Sequence, residues 1–197
     1  MPDAETLFEH ARKTRWRPGE PAGPVVFDLE TLRSAQEVGG WENLSKMGMA
    51  LAVVYYTAQD AYETFHEHEA DALAETLLAS ERVVGFNHVH FDYGVLRGCT
   101  DADLSKTRNL DLLLDLKRRL NHRLSLNAVA GATLHAGKSG DGLQSLQWVK
   151  EGRLDLVEQY CRKDVEITHR VWRFGVENGY VLYDSRDGVK RVEVEWK

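Results

Sequence analysis

Within the stretch VVFDLET, residues 25 to 31, an aspartate and a glutamate stand at alternate positions, Asp28 and Glu30. Side chains alternate faces along a strand, so both acids look one way while Val25, Phe27 and Leu29 look the other. Two like charges held about 6 to 7 Å apart on one face need something between them. Asp164 falls in the middle of a stripe marked at helical spacing by Val157, Cys161, Thr168 and Val171, with Tyr160 one turn earlier at i−4. An acid in such an inward stripe is expensive unless it is paired, protonated or bound to a metal. A fourth acid, Asp92, follows Phe91 in GFNHVHFDYGVL, just beyond a short apolar strand. If the four meet, each pair at about 4 Å repels by about 4 kcal/mol at an effective dielectric near 20, and the cluster requires divalent cations. Ligands made of oxygen alone select Mg²⁺ or Mn²⁺ over zinc. Two such ions suit in-line displacement at phosphorus, one activating the attacking water and the other stabilising the leaving oxygen.

The surrounding chain supplies elements to carry these residues. The pattern predicts strands over 24–31, 46–57 and 61–67, an antiparallel meander, and an amphipathic helix over 69–80 with Ala70, Leu73, Ala74 and Leu77 on one face. RVVGFN reads as a short buried strand, with a helix starting near Phe91. Residues 107–120 pass from a short strand into a helix, and SLNAVAGATL and GLQSLQWVKEG read as two helices joined by a glycine-rich loop. A long helix spans about 153–178, and a short one is expected over 4–14, before RPGEPAGP breaks the chain. Near the end, Asp187-Gly188 predicts a hairpin setting Tyr183 opposite Val192, Val181 opposite Val194 and Asp184 opposite Arg191. Strands first, then helices alternating with strands, give an α/β class: a mixed sheet with helices on both faces.

The 197 residues, 43% hydrophobic and 28% charged, suit one domain with a sizeable core. A net charge of −6 argues against nonspecific coating of nucleic acid, though not against an enzyme that recruits cations to meet phosphate. Two cysteines, Cys99 and Cys161, are too few for a disulfide scaffold, and the first 21 residues have no apolar core for a signal peptide. MGMALAVVYYTAQ is too short to span a bilayer. A soluble cytoplasmic protein with no membrane association is the expectation.

FDLET, NHVHFD and YCRKDV, in that order, resemble the three motifs of the DEDD superfamily of 3′-5′ exonucleases, whose fold is ribonuclease H-like. The form is most similar to the proofreading domains of family B DNA polymerases and their free-standing relatives, and the resemblance covers about residues 24 to 179. It implies an N-terminal extension over 1–23, an exonuclease domain over 24–179, and a hairpin extension over 180–197. It further implies that Asp28, Glu30 and Asp164 hold one metal, that Asp28 bridges to a second held by Asp92 largely through water, and that Tyr160 orients and helps deprotonate the attacking water. The histidine subclass carries its base five residues before the last aspartate; Gln159 stands there, so the resemblance is to the tyrosine type. Thr31, Asn87 and Phe91, beside the ligands, are the implied substrate contacts. The implied partners are single-stranded 3′ ends, DNA in preference to RNA, and a helicase or polymerase.

Each motif alone has an ordinary explanation. A D-x-E pair is usually solvated, Asp92 reads as a helix cap, and Asp164 has Arg162 and Lys163 as neighbours. Residues 132–139, ATLHAGKS, miss a phosphate-binding loop because Ala132 stands where glycine is required. His88 and His90 flank the site within NHVHFD, in reach of a substrate, but loop histidines with no partner are more often solvated. Asp111 is expected to cap a helix or pair with the adjoining basic run rather than act as a fifth ligand. Lys117, Arg118, Arg119, His122 and Arg123 form either a solvated face or a phosphate-tracking surface. The alternatives to an exonuclease are a catalytically silent nucleic-acid-binding accessory domain and an endonuclease of the wider ribonuclease H-like group.

Overall fold

A computed structural model of the protein describes residues 23–135 and 142–197. The helix expected over 4–14, and residues 136–141, which include the last four residues of the phosphate-loop-like stretch, lie outside the described residues. Strands β1 (Val25–Thr31), β2 (Met49–Tyr56) and β3 (Ala61–His66) form the expected antiparallel meander. Strands β4 (Val83–Gly85) and β5 (Asn109–Asp111) add parallel to β1 on its other side, giving the order β3-β2-β1-β4-β5. Helices α1 (Ala70–Ala79), α2 (Asp92–Leu96), α3 (Leu112–Leu120), α4 (Leu126–Leu134), α5 (Gly142–Lys150) and α6 (Leu154–Asn178) follow the predicted positions. The mixed sheet is covered on both faces and is consistent with the ribonuclease H-like fold. All eight residues of β2, MALAVVYY, are buried, the continuous apolar run that a strand covered on both faces needs.

Alternation along β1 divides the interior into two cores. Val25, Phe27 and Leu29 pack with α1 and α2, while Val26 joins the core built on α3, α4 and α6. Asp28 and Glu30 share the face of Val26 and therefore meet α6, which lies across β1 and β2. Local signals set the helix limits. Asp111 caps α3, accepting from Leu114 N at 3.1 Å, and Ser125 caps α4, accepting from Ala128 N at 3.1 Å. Gly179, at φ 75°, ends α6 in the left-handed conformation that glycine adopts without penalty. The sequence pattern gave no element between β1 and β2; the chain there forms a 3-10 turn, Trp41–Lys46.

The C-terminal hairpin, β6 (Tyr180–Ser185) and β7 (Gly188–Glu193), forms with a register two residues away from the expected one. Val181 pairs with Val192, Tyr183 with Lys190 and Asp184 with Val189, so Arg186-Asp187 is the loop rather than Asp187-Gly188. Ser185 fixes this turn, its Oγ donating to Gly188 O at 2.8 Å and accepting from Asp187 N at 3.2 Å. A slip of two keeps every side chain on its face, so Val181, Tyr183, Val192 and Val194 remain buried. The slip also carries Val194 to Gly179 O, at 2.9 Å, and seats the buried Trp196 against α6 near Gly175. No helix among the described residues is long and apolar enough to cross a membrane.

Candidate functional site

The site lies where β1 outruns its parallel neighbour. Val25 N bonds Arg82 O at 2.8 Å, but β4 pairs with β1 only at Val25 and Val26. N–H groups two apart share an edge, so Leu29 N points toward the space beyond the end of β4. Asp92, the first residue of α2, fills that space and accepts from Leu29 N at 3.1 Å through Oδ1. The second-motif acid is thereby fixed beside Asp28. A bulge between Glu30 and Thr31 then turns the strand end, leaving Thr31 opposite Met49.

The four sequence-predicted acids come together electrostatically. Asp28 is raised well above the usual carboxylate range by burial, then by the charges of Asp92, Asp164 and Glu30. Glu30 is raised to about 8, by burial and by Asp164 and Asp92, against the Ser145 hydroxyl that lowers it. Asp92 is raised to about 7, mainly by burial, which outweighs its bonds from the Leu29 and Asp92 N–H groups. Tyr160, whose hydroxyl donates to Asp164 one turn on, is raised by burial and by the charges of Asp164, Glu30 and Asp28. It therefore keeps its proton at neutral pH.

Two supports were not foreseen. Ser145 of α5, fully buried, donates to Glu30 Oε2 at 2.7 Å, and Trp148 sets its ring edge-on to Tyr160 with centroids 6.3 Å apart. The only sequence signal for Ser145 was a small polar residue inside an amphipathic helix, which says nothing of its partner. Cys161 is the other neighbour. Asp28, Glu30 and Cys161 offer atoms all within 4.8 Å of one another. The thiol donates to Asp28 O at 3.3 Å, and burial with the nearby acids holds it well above its ordinary value, so it serves as a donor to β1. What remains for a cation is a set of carboxylate oxygens that repel one another and are charged only at a cost, and that set fits a hard divalent ion.

Asp28, Glu30, Asp164 and Tyr160 floor a cavity of about 650 Å³, lined also by Thr31, Arg33, Trp41, Phe91, Leu143 and Leu146, while Asp92 is buried behind the strand end and does not line it. Thr31 and Phe91 thus line the same cavity as Asp28, Glu30 and Asp164. Asn87 does not line the cavity: its backbone N, at φ 72°, donates to Asp111 at 2.9 Å, and its side-chain oxygen accepts from Arg123 at 3.3 Å. Asp111 is a structural anchor, also accepting from Val89 N at 3.1 Å and capping α3. His88 is buried beside it, Nε2 lying 3.0 Å from Asn109 Oδ1, and burial lowers its pKa, so it too belongs to the scaffold of the loop. Arg119 is spent on Asp115 at 2.8 Å, and Lys117 and Arg118 are exposed away from the cavity lining. No family model and no curated protein matches the chain.

Proposed function

We propose that this protein is a metal-dependent 3′-5′ exonuclease acting on single-stranded ends, DNA in preference to RNA, and releasing nucleoside monophosphates. The observation that carries the reading is the convergence of Asp28, Glu30, Asp92 and Asp164 from β1, α2 and α6, with the Tyr160 hydroxyl on Asp164. The order and spacing of the three motifs support the polarity. Asp28, Glu30, Asp92 and Asp164 would hold two Mg²⁺ or Mn²⁺ ions, which when bound neutralise the phosphate and activate water for in-line attack.

The chain's own residues do the rest. Tyr160 keeps its proton, which it donates in a hydrogen bond to Asp164, and orients the attacking water by accepting a hydrogen bond on its phenolic oxygen. Ser145 holds Glu30 in one orientation by its 2.7 Å bond, and Leu29 N holds Asp92. Arg33, lining the same cavity with Nη1 bonded to Lys46 O at 2.6 Å, offers a fixed positive charge to a phosphate. A recess floored by Asp28, Glu30 and Asp164 repels the two phosphate strands of an intact duplex, which favours a splayed end.

The experiment is a 5′-labelled oligonucleotide incubated with Mg²⁺ or Mn²⁺, beside a circular single strand. A ladder shortening one nucleotide at a time, with the circle intact and Asp28→Ala inert, is the expected result. Cutting of the circle would reassign the protein as an endonuclease. An Asp28→Ala variant as active as the wild type would overturn the reading altogether.

A further inference from the structure

The proposed chemistry uses the acidic floor of the cavity and leaves its rim unexplained. Trp41 stands there 68% exposed, its ring centroid 6.2 Å from that of Phe91 and tilted by 57°. Both line the cavity that holds Asp28, Glu30 and Asp164. Exposing an indole to water forfeits a large apolar contribution, so its presentation calls for a reason.

The presentation is built into the chain. Gly39 and Gly40, at φ 89° and 135°, turn the chain through conformations that other residues resist. Leu44 then anchors the 3-10 turn by burying its side chain against Gly94 of α2. The indole is held at the rim beside Phe91, with most of its surface open to a planar ligand. A sugar-phosphate chain that leaves its last phosphate at the acids must place its neighbouring bases within reach of this wall, since floor and rim belong to one cavity.

We infer that Trp41, with Phe91, forms a stacking platform for the unpaired bases at the 3′ end, adding to the preference for a splayed end that the acidic floor sets. The inference rests on the nuclease reading and deepens it. Stacking engages the π-face that every base possesses, so it selects unpaired over paired ends without selecting sequence. It acts equally on DNA and RNA.

The test compares wild type, Trp41→Ala and Trp41→Phe in binding and in turnover. Binding to 5′-labelled single strands, DNA and RNA in separate arms, is read by fluorescence anisotropy in EDTA at low ionic strength. Trp41→Ala is expected to weaken binding and to raise KM by about tenfold with kcat little changed, while Trp41→Phe stays near wild type. A strand whose last two nucleotides are abasic should bind wild type as weakly as the intact strand binds Trp41→Ala, and the variant should lose nothing further on it. Because Trp41 is exposed, the melting temperature should not move. Wild-type digestion with unchanged binding and KM in Trp41→Ala overturns the stacking platform alone. A wild type that neither binds nor digests any strand overturns this inference and the nuclease reading together.

Discussion

Glu30 holds its proton to a pH of about 8 and Asp92 to about 7, against ordinary values of 4.5 and 3.8. A carboxyl raised on folding contributes stability that is fully present below its unfolded value and is lost as pH rises through its folded value. The metal-free protein should therefore lose melting temperature steadily from about pH 5 to pH 8. Mg²⁺ or Mn²⁺ should restore it, most at the alkaline end, with release of protons on binding. A melting temperature flat across that window, or equal metal shifts at both ends, would contradict the coupled cluster. Ser145 belongs to the same balance, because its hydroxyl favours the ionised form of Glu30. Ser145→Ala is expected to weaken Mn²⁺ binding by roughly tenfold, measured by calorimetry, with little change in the fold. An unchanged Mn²⁺ affinity would mean that the 2.7 Å bond plays no part in preparing the ligand.

At the scale of elements, the site depends on how closely the 3-10 turn can sit on α2. Gly98, just past α2, packs so tightly on the Ser45 carbonyl that an added methyl group would overlap the backbone itself. A backbone carbonyl cannot step aside as a flexible side chain can, so the turn as a whole must move. Gly98→Ala is expected to destabilise by about 1 to 3 kcal/mol in urea titration and, by displacing the turn that carries Trp41, to raise KM. Wild-type stability in this variant would show that turn and helix are not tightly coupled. The loop before α2 has its own tie: Asp111 gathers Asn87 N, Val89 N and Leu114 N on one carboxylate and so fixes the approach to Asp92. That carboxylate anchors the ligand loop from behind.

Over the whole molecule, the C-terminal hairpin continues the main core. Val181, Tyr183, Val192, Val194 and Trp196 are buried with α4 and α6, and Trp196 Nε1 donates to Asp115 Oδ2 at 2.8 Å. Trp196→Ala should cost about 3 to 5 kcal/mol by chemical denaturation while leaving kcat of the folded protein unchanged, because the residue packs near Gly175, about three helical turns beyond Asp164 on α6. A variant of full stability would detach the hairpin from the core. The sequence by itself determined the element order, the alternation that turns Asp28 and Glu30 to one face, and the placing of Asp164 and Tyr160 one helical turn apart, since strand and helix periods are local properties of the chain. It also marked Asp92 as the acid at a strand end. The hairpin register escaped it, because two registers that differ by two residues bury the same faces, and the turn bonds of Ser185 with the docking of Val194 and Trp196 on α6 distinguish them. Ser145 on Glu30, Leu29 N on Asp92 and the Trp41 rim were decided by tertiary structure alone. Each joins residues distant along the chain, and such contacts depend on how elements pack, which no local periodicity encodes.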